Sequence, residues 1–106
     1  MDFQYICEGY PWMDPPVWSG TISPLLPFEP ADYEVTAHGS SFHMIISRHS
    51  RGKYLCIPDW GIGMDLSEDG DRHWNLEKLL ERYPEINSVD AVSIVYAVTA
   101  IENHHH

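Results

Sequence analysis

The stretch SVDAVSIVYAVTAI, residues 88–101, decides the fold. Val89, Val92, Ile94, Val95, Val98, Thr99 and Ile101 are β-branched, which favours a strand because such side chains lose χ1 freedom in a helix and pack well on a pleated surface. Ser88 and Asp90 near the start, with Ala91, Ala97 and Ala100 behind them, favour a buried helix. Length tips the balance: fourteen residues without Gly or Pro exceed the usual run of a strand. A helix is therefore expected, with a strand as the alternative.

Working back along the chain, Leu76, Leu79, Leu80 and Tyr83 recur at helical spacing, with Asn75 as the expected N-cap and Pro84 as the stop. Everything before that reads as strands. Phe3, Tyr5 and Cys7 alternate with Gln4, Ile6 and Glu8, a period of two, until Pro11, Pro15 and Pro16 break the run. Residues 17–23 and 32–37 are two further strands. SPLLPFEP, residues 23–30, is expected to be a loop because three prolines suit neither a helix nor a central strand.

Residues 41–48 and 53–58 form a hairpin across the turn His49-Ser50-Arg51-Gly52. Pairing Arg48 with Lys53 sets Ile46 opposite Leu55 and Ile45 opposite Cys56. One face then carries Phe42, Met44, Ile46, Leu55 and Ile57, and the other carries His43, Ile45, Ser47, Tyr54 and Cys56. Residues 61–66 give a sixth short strand, followed by the polar loop SEDGD. The expected architecture is a two-layer α+β domain over residues 1–103: a mainly antiparallel sheet of about five to six strands, followed by two C-terminal helices packed on one face. His104, His105 and His106 read as the start of a purification tag.

Sixteen Asp and Glu stand against six Lys and Arg, for a formal net charge of −10. Six acids and no Lys or Arg precede Arg48, three bases sit at Arg48, Arg51 and Lys53, and five acids follow between residues 59 and 71. Three cations on one turn are not the extended basic surface that phosphate contact requires, so direct nucleic-acid binding is not expected. The charge suits solubility, or a fit against the basic groove of another protein. Cys7 and Cys56 cannot build a disulfide framework, and the N-terminal residues have neither a basic region nor an apolar signal core, which points to a cytoplasmic protein with reduced thiols. No membrane role is indicated.

His43 and Cys56 share a face, with Asp59 close in sequence, so they are the candidate catalytic pair. A nucleophilic thiol needs a base within hydrogen-bond reach and an activating surrounding, whereas Cys56 lies between Leu55 and Ile57, the setting of a small apolar group. Neither cysteine has a partner at zinc-ligand spacing, and His38, His43 and His49 point to different sides. Asp65, Asp69 and Asp71 are candidate cation ligands, because Asp65, Ser67, Asp69 and Gly70 fit the first half of a calcium loop. The pattern then fails at Arg72 and Leu76. No Gly-rich phosphate loop or Gly-x-Ser-x-Gly occurs, so no cofactor is expected. Trp12, Trp60 and Trp74 sit beside loops, where aromatics anchor interfaces. With Arg48, Arg51 and Lys53 they make the candidate binding surface.

Ser40-Ser41-Phe42-His43, Tyr54-Leu55-Cys56-Ile57-Pro58-x-Trp60-x-Ile62-Gly63, Trp74-Asn75-Leu76-Glu77 and Asp90-Ala91-Val92 together resemble a small uncharacterised bacterial family of about this length, a domain of unknown function. The resemblance spans most of residues 3–101 and implies a bacterial or mobile-element origin. It transfers no catalytic residues, since the family has no assigned activity. Two functions are expected to compete. One is a small non-catalytic protein-interaction module, an inhibitor of a nucleic-acid-handling partner among its forms. The other is a small-ligand-binding protein or enzyme with a pocket around His43 and Cys56.

Overall fold

The computed structural model describes residues 3–8, 17–26, 31–37 and 39–104. Six strands, β1 (Phe3–Glu8), β2 (Val17–Leu26), β3 (Ala31–Ala37), β4 (Ser40–His49), β5 (Gly52–Ile57) and β6 (Ile62–Leu66), precede two helices, α1 (Arg72–Arg82) and α2 (Ser88–His104). The strands pair in sequence order as one antiparallel meander.

Residues 88–101 are helical. Ala91 and the run Ser93–Val98 are buried, as are Ala100 and Ile101. A helix that is apolar all round is a buried helix, which is why its sequence lacks the one-sided period that would have marked it. Its cap is Asn87, whose Oδ1 accepts the Val89 N–H at 2.8 Å.

The cap of α1 differs from expectation. Asp71 holds that place, accepting from the His73 and Trp74 N–H groups at 2.9 and 3.2 Å. Asn75 lies one turn inside and is buried. Asp and Asn both cap well, and the competing demand for Asn75 comes from the sheet, as described below.

Two strand boundaries also shift. β2 runs on to Leu26 through Pro24, so residues 23–26 are not loop. Pro24 pairs with Tyr33 of β3, and a register irregularity between Pro24 and Leu26 accommodates it, the setting in which a strand tolerates a missing donor. In the β4–β5 hairpin the expected register holds, with Ile45 opposite Cys56, Ile46 opposite Leu55 and Arg48 opposite Lys53. The turn is tighter than expected, because His49 and Gly52 still pair and only Ser50 and Arg51 lie between them. Gly52 takes a φ of 137°, a region open to glycine at little cost.

Both helices cover the same face. Ile22, Val35, Phe42, Met44, Ile46, Leu55, Ile57 and Met64 from the sheet meet Leu79, Ile94, Tyr96, Ala97 and Ile101 from the helices in one buried cluster.

Helix α1 also seals the β6 edge. The Tyr83 hydroxyl accepts the Gly63 N–H and donates to the Gly63 carbonyl, both at 2.9 Å, and the Asn75 Oδ1 accepts the Ser67 N–H at 2.8 Å. Residues 63 and 67 share parity, so their backbone groups point the same way across the strand. Asn75 and Tyr83 lie about 12 Å apart along a helix, and Gly63 and Ser67 about 13 Å apart along a strand. The helix therefore runs antiparallel to β6 with two side chains spaced to satisfy the unpaired edge. Tyr83→Phe is expected to cost about 1–2 kcal/mol, because it leaves a donor and an acceptor unsatisfied while keeping the ring. Urea unfolding measures the loss, and an unchanged midpoint would show that the edge is not held this way.

Candidate functional site

Strand alternation divides the charges between the two faces of the sheet. Arg48 and Lys53, paired across β4 and β5, lie on the helix side, where both reach Glu102 of α2: Arg48 Nη2 to Oε2 at 2.8 Å and Lys53 Nζ to Oε1 at 2.7 Å. Burial alone would raise the Glu102 pKa, but the hydrogen bonds and charges of Lys53 and Arg48 outweigh it and hold the carboxyl below its ordinary value. Arg51 is exposed at the hairpin tip. The basic turn is thus mainly a clasp between the hairpin and α2.

The face away from the helices carries Asp32 and Glu34 of β3, His43 and Ile45 of β4, Tyr54 and Cys56 of β5, and Asp65 of β6. The His43 ring lies between two carboxylates, with Nδ1 3.9 Å from Asp32 Oδ1 and Nε2 4.0 Å from Glu34 Oε2. Those separations are too long for hydrogen bonds, and among the described residues Asp32 Oδ1 is enclosed without a hydrogen-bond partner. The Asp59 carboxylate accepts the His43 backbone N–H at 2.8 Å, just beyond the Ile45–Cys56 pair of the β4–β5 ladder.

His43 and Cys56 do share this face. The imidazole, however, is set against β3, while the half-buried, free Cys56 lies on β5, opposite Ile45 on one side and Gly63 on the other. Tyr54 lies over β6, such that a Cβ on Gly63 would fall 2.5 Å from its hydroxyl oxygen. The metal candidates do not converge. Asp65 is exposed on β6, Asp71 caps α1, and the Asp69 N–H donates to Ser67 Oγ within the turn. Among the described residues no group of three or more His, Cys, Asp or Glu is arranged to hold a metal ion.

The tryptophans separate as well. Trp60 ends the 3-10 turn Pro58–Trp60 and packs on Phe42 with ring centroids 4.5 Å apart. Trp74 is exposed on α1, with Lys78 Nζ 5.6 Å from its ring centroid. Trp12 and His38 lie outside the described residues, as do the side chains of Cys7 and Trp18. Beside Trp60 is a groove of about 430 Å³, lined further by Ile62 and by residues 82–87 and 90. The sequence marked Trp60 as a loop-borne aromatic but gave no sign of the rest, because the α1–α2 connection supplies most of the wall and approaches Trp60 only in the folded chain.

The model of a family of unknown function, DUF6618, matches residues 3–106. The chain belongs to that family. As a DUF6618 member it brings the strand meander, both helices and the terminal histidines within one family match. No curated protein and no solved structure gives a significant match. No helix among the described residues is long and apolar enough to cross a membrane.

Proposed function

We propose that the protein is a small non-catalytic interaction module that engages a basic surface of a partner protein through the open face of its sheet. One observation carries this reading: Asp32, Glu34 and Asp65 lie on that face, while Arg48 and Lys53 are drawn to the opposite face by Glu102. Exposed Tyr54 and half-buried Ile45 and Cys56 give the acidic face an apolar centre, the pattern of an interface with a polar rim. Complementary charge accelerates encounter and excludes wrong partners. Proteins that handle nucleic acid carry basic surfaces of this kind, and we take the partner to be one of them, held in an inhibited state. The setting is a bacterial cytoplasm, in keeping with a chain whose described cysteine, Cys56, is a free thiol.

The combined variant Glu34→Lys and Asp65→Lys tests this, since both residues sit on the open face and neither makes a core contact. A partner recovered from the source cells and then purified is expected to bind the native protein and to lose about tenfold or more in affinity for the variant. Binding to the native protein is also expected to weaken as salt is raised. Equal affinity for both proteins would overturn the reading.

A further inference from the structure

The Trp60 groove is rimmed by charges that no other side chain pairs among the described residues. Arg82 in the last turn of α1 and Asp90 in the first turn of α2 do each sit where the helix dipole favours their sign. Among the described residues, the side chains of Arg82, Glu85 and Asp90 have no hydrogen bond or ion pair, in contrast to the mutually satisfied Arg48, Lys53 and Glu102. Its floor is apolar and held in place. Trp60 leans on Phe42, Ile62 is buried, and Tyr83 is fixed by its two hydrogen bonds to Gly63.

We propose that this groove binds a small zwitterion of the short-peptide type, with an apolar body between an ammonium and a carboxylate. The volume of about 430 Å³ lies within the range of small-molecule sites. The Arg82 guanidinium matches a carboxylate, which it can engage bidentately, and Asp90 and Glu85 match an ammonium. A purely anionic ligand would meet two carboxylates, and a purely cationic one would meet the guanidinium. An uncharged apolar ligand would bring all three charges close to a dry surface without compensation. Only a ligand carrying both signs satisfies the rim while its body covers Trp60, Ile62 and Ile86. This site lies on the helix side of the sheet and does not depend on the acidic face.

Titration calorimetry with the dipeptide leucylphenylalanine is the test, alongside the same dipeptide blocked at both ends by acetyl and amide groups. The free dipeptide is expected to bind and the blocked one to lose about tenfold or more. Arg82→Gln and Asp90→Asn are each expected to weaken binding by a similar factor. Arg82 is exposed and Asp90 half-buried, each at a helix end that favours its charge, so their variants are expected to stay folded, with unfolding temperatures lowered by at most a few degrees. No binding of the free dipeptide at millimolar concentration would overturn the proposal, as would affinities unchanged by end-blocking or by both substitutions.

Discussion

Replacing Phe42 with alanine is expected to lower stability by about 3–5 kcal/mol, the usual cost of removing a fully buried aromatic ring when the surroundings cannot close the cavity. Phe42 is 1% exposed, sits on β4 between β3 and β5, and supports the Trp60 ring at 4.5 Å. The loss has two parts: the transfer of the ring to water and the void left beneath Trp60. Phe42→Leu fills most of that void and is expected to cost under about 1.5 kcal/mol. Equilibrium unfolding in urea resolves both values. A loss below about 1 kcal/mol for the alanine variant would mean that the two rings do not brace each other. The same substitution removes the support of the groove floor, so dipeptide binding is expected to fall along with stability.

Glu102→Gln is expected to cost about 2 kcal/mol at neutral pH. Removing one member of a fully buried ion pair costs more, but the three side chains here remain 18–29% exposed and water screens part of the interaction. The pH dependence is distinctive. Lys53 and Arg48 hold the Glu102 carboxyl below its ordinary 4.5 in the folded protein, against the opposing effect of burial. As pH falls, the unfolded chain therefore takes up this proton before the folded one does. The stabilisation is complete above the ordinary glutamate value and is lost as pH falls through the lowered folded value. The stability gap between native protein and variant is expected to stay constant from neutrality down to about 4.5 and to close in more acid solution. A gap that persists unchanged in acid would rule out Glu102 as the titrating partner of the clasp.

The β4–β5 register was legible because a period of two excludes every odd slip, which would split Phe42, Met44 and Ile46 from Leu55 and Ile57, and the short turn between Arg48 and Lys53 selects among the registers that remain. Helix α1 was legible from Leu76, Leu79 and Tyr83, but its cap was not. Asp71 and Asn75 are both good capping residues, and the choice depends on Ser67, whose N–H takes up the Asn75 side chain. Pro24 misled in the same manner. A proline reads as the end of a strand unless one knows that the pairing with the neighbouring strand shifts register beside it, as the β2–β3 ladder does between Pro24 and Leu26.

Among the site residues, alternation alone put His43 and Cys56 on a common face and separated them from Phe42. It could not show that the His43 ring turns toward Asp32 and Glu34, since that depends on which strand lies on the other side of β4. Arg48 and Lys53 looked like an exposed basic tip because their partner, Glu102, is about fifty residues away in the chain. The wall of the groove at residues 82–87 and 90 was hidden for the same reason, although Trp60 itself stood out beside a loop.

By itself the sequence determined helix α1, most of the strands, the hairpin register and the acidic charge, and favoured the helix at residues 88–101 that makes the α+β class, because periodicity, turn chemistry and composition are local properties. Tertiary structure alone decided that the helix over residues 88–101 is buried all round from Ser93 to Val98, that α1 seals the β6 edge through Asn75 and Tyr83, and that Arg48 and Lys53 are spent on Glu102. It also decided that Arg82, Glu85 and Asp90 surround an apolar groove. These are contacts between residues distant in sequence, and only the packing of helices on sheet brings them within reach.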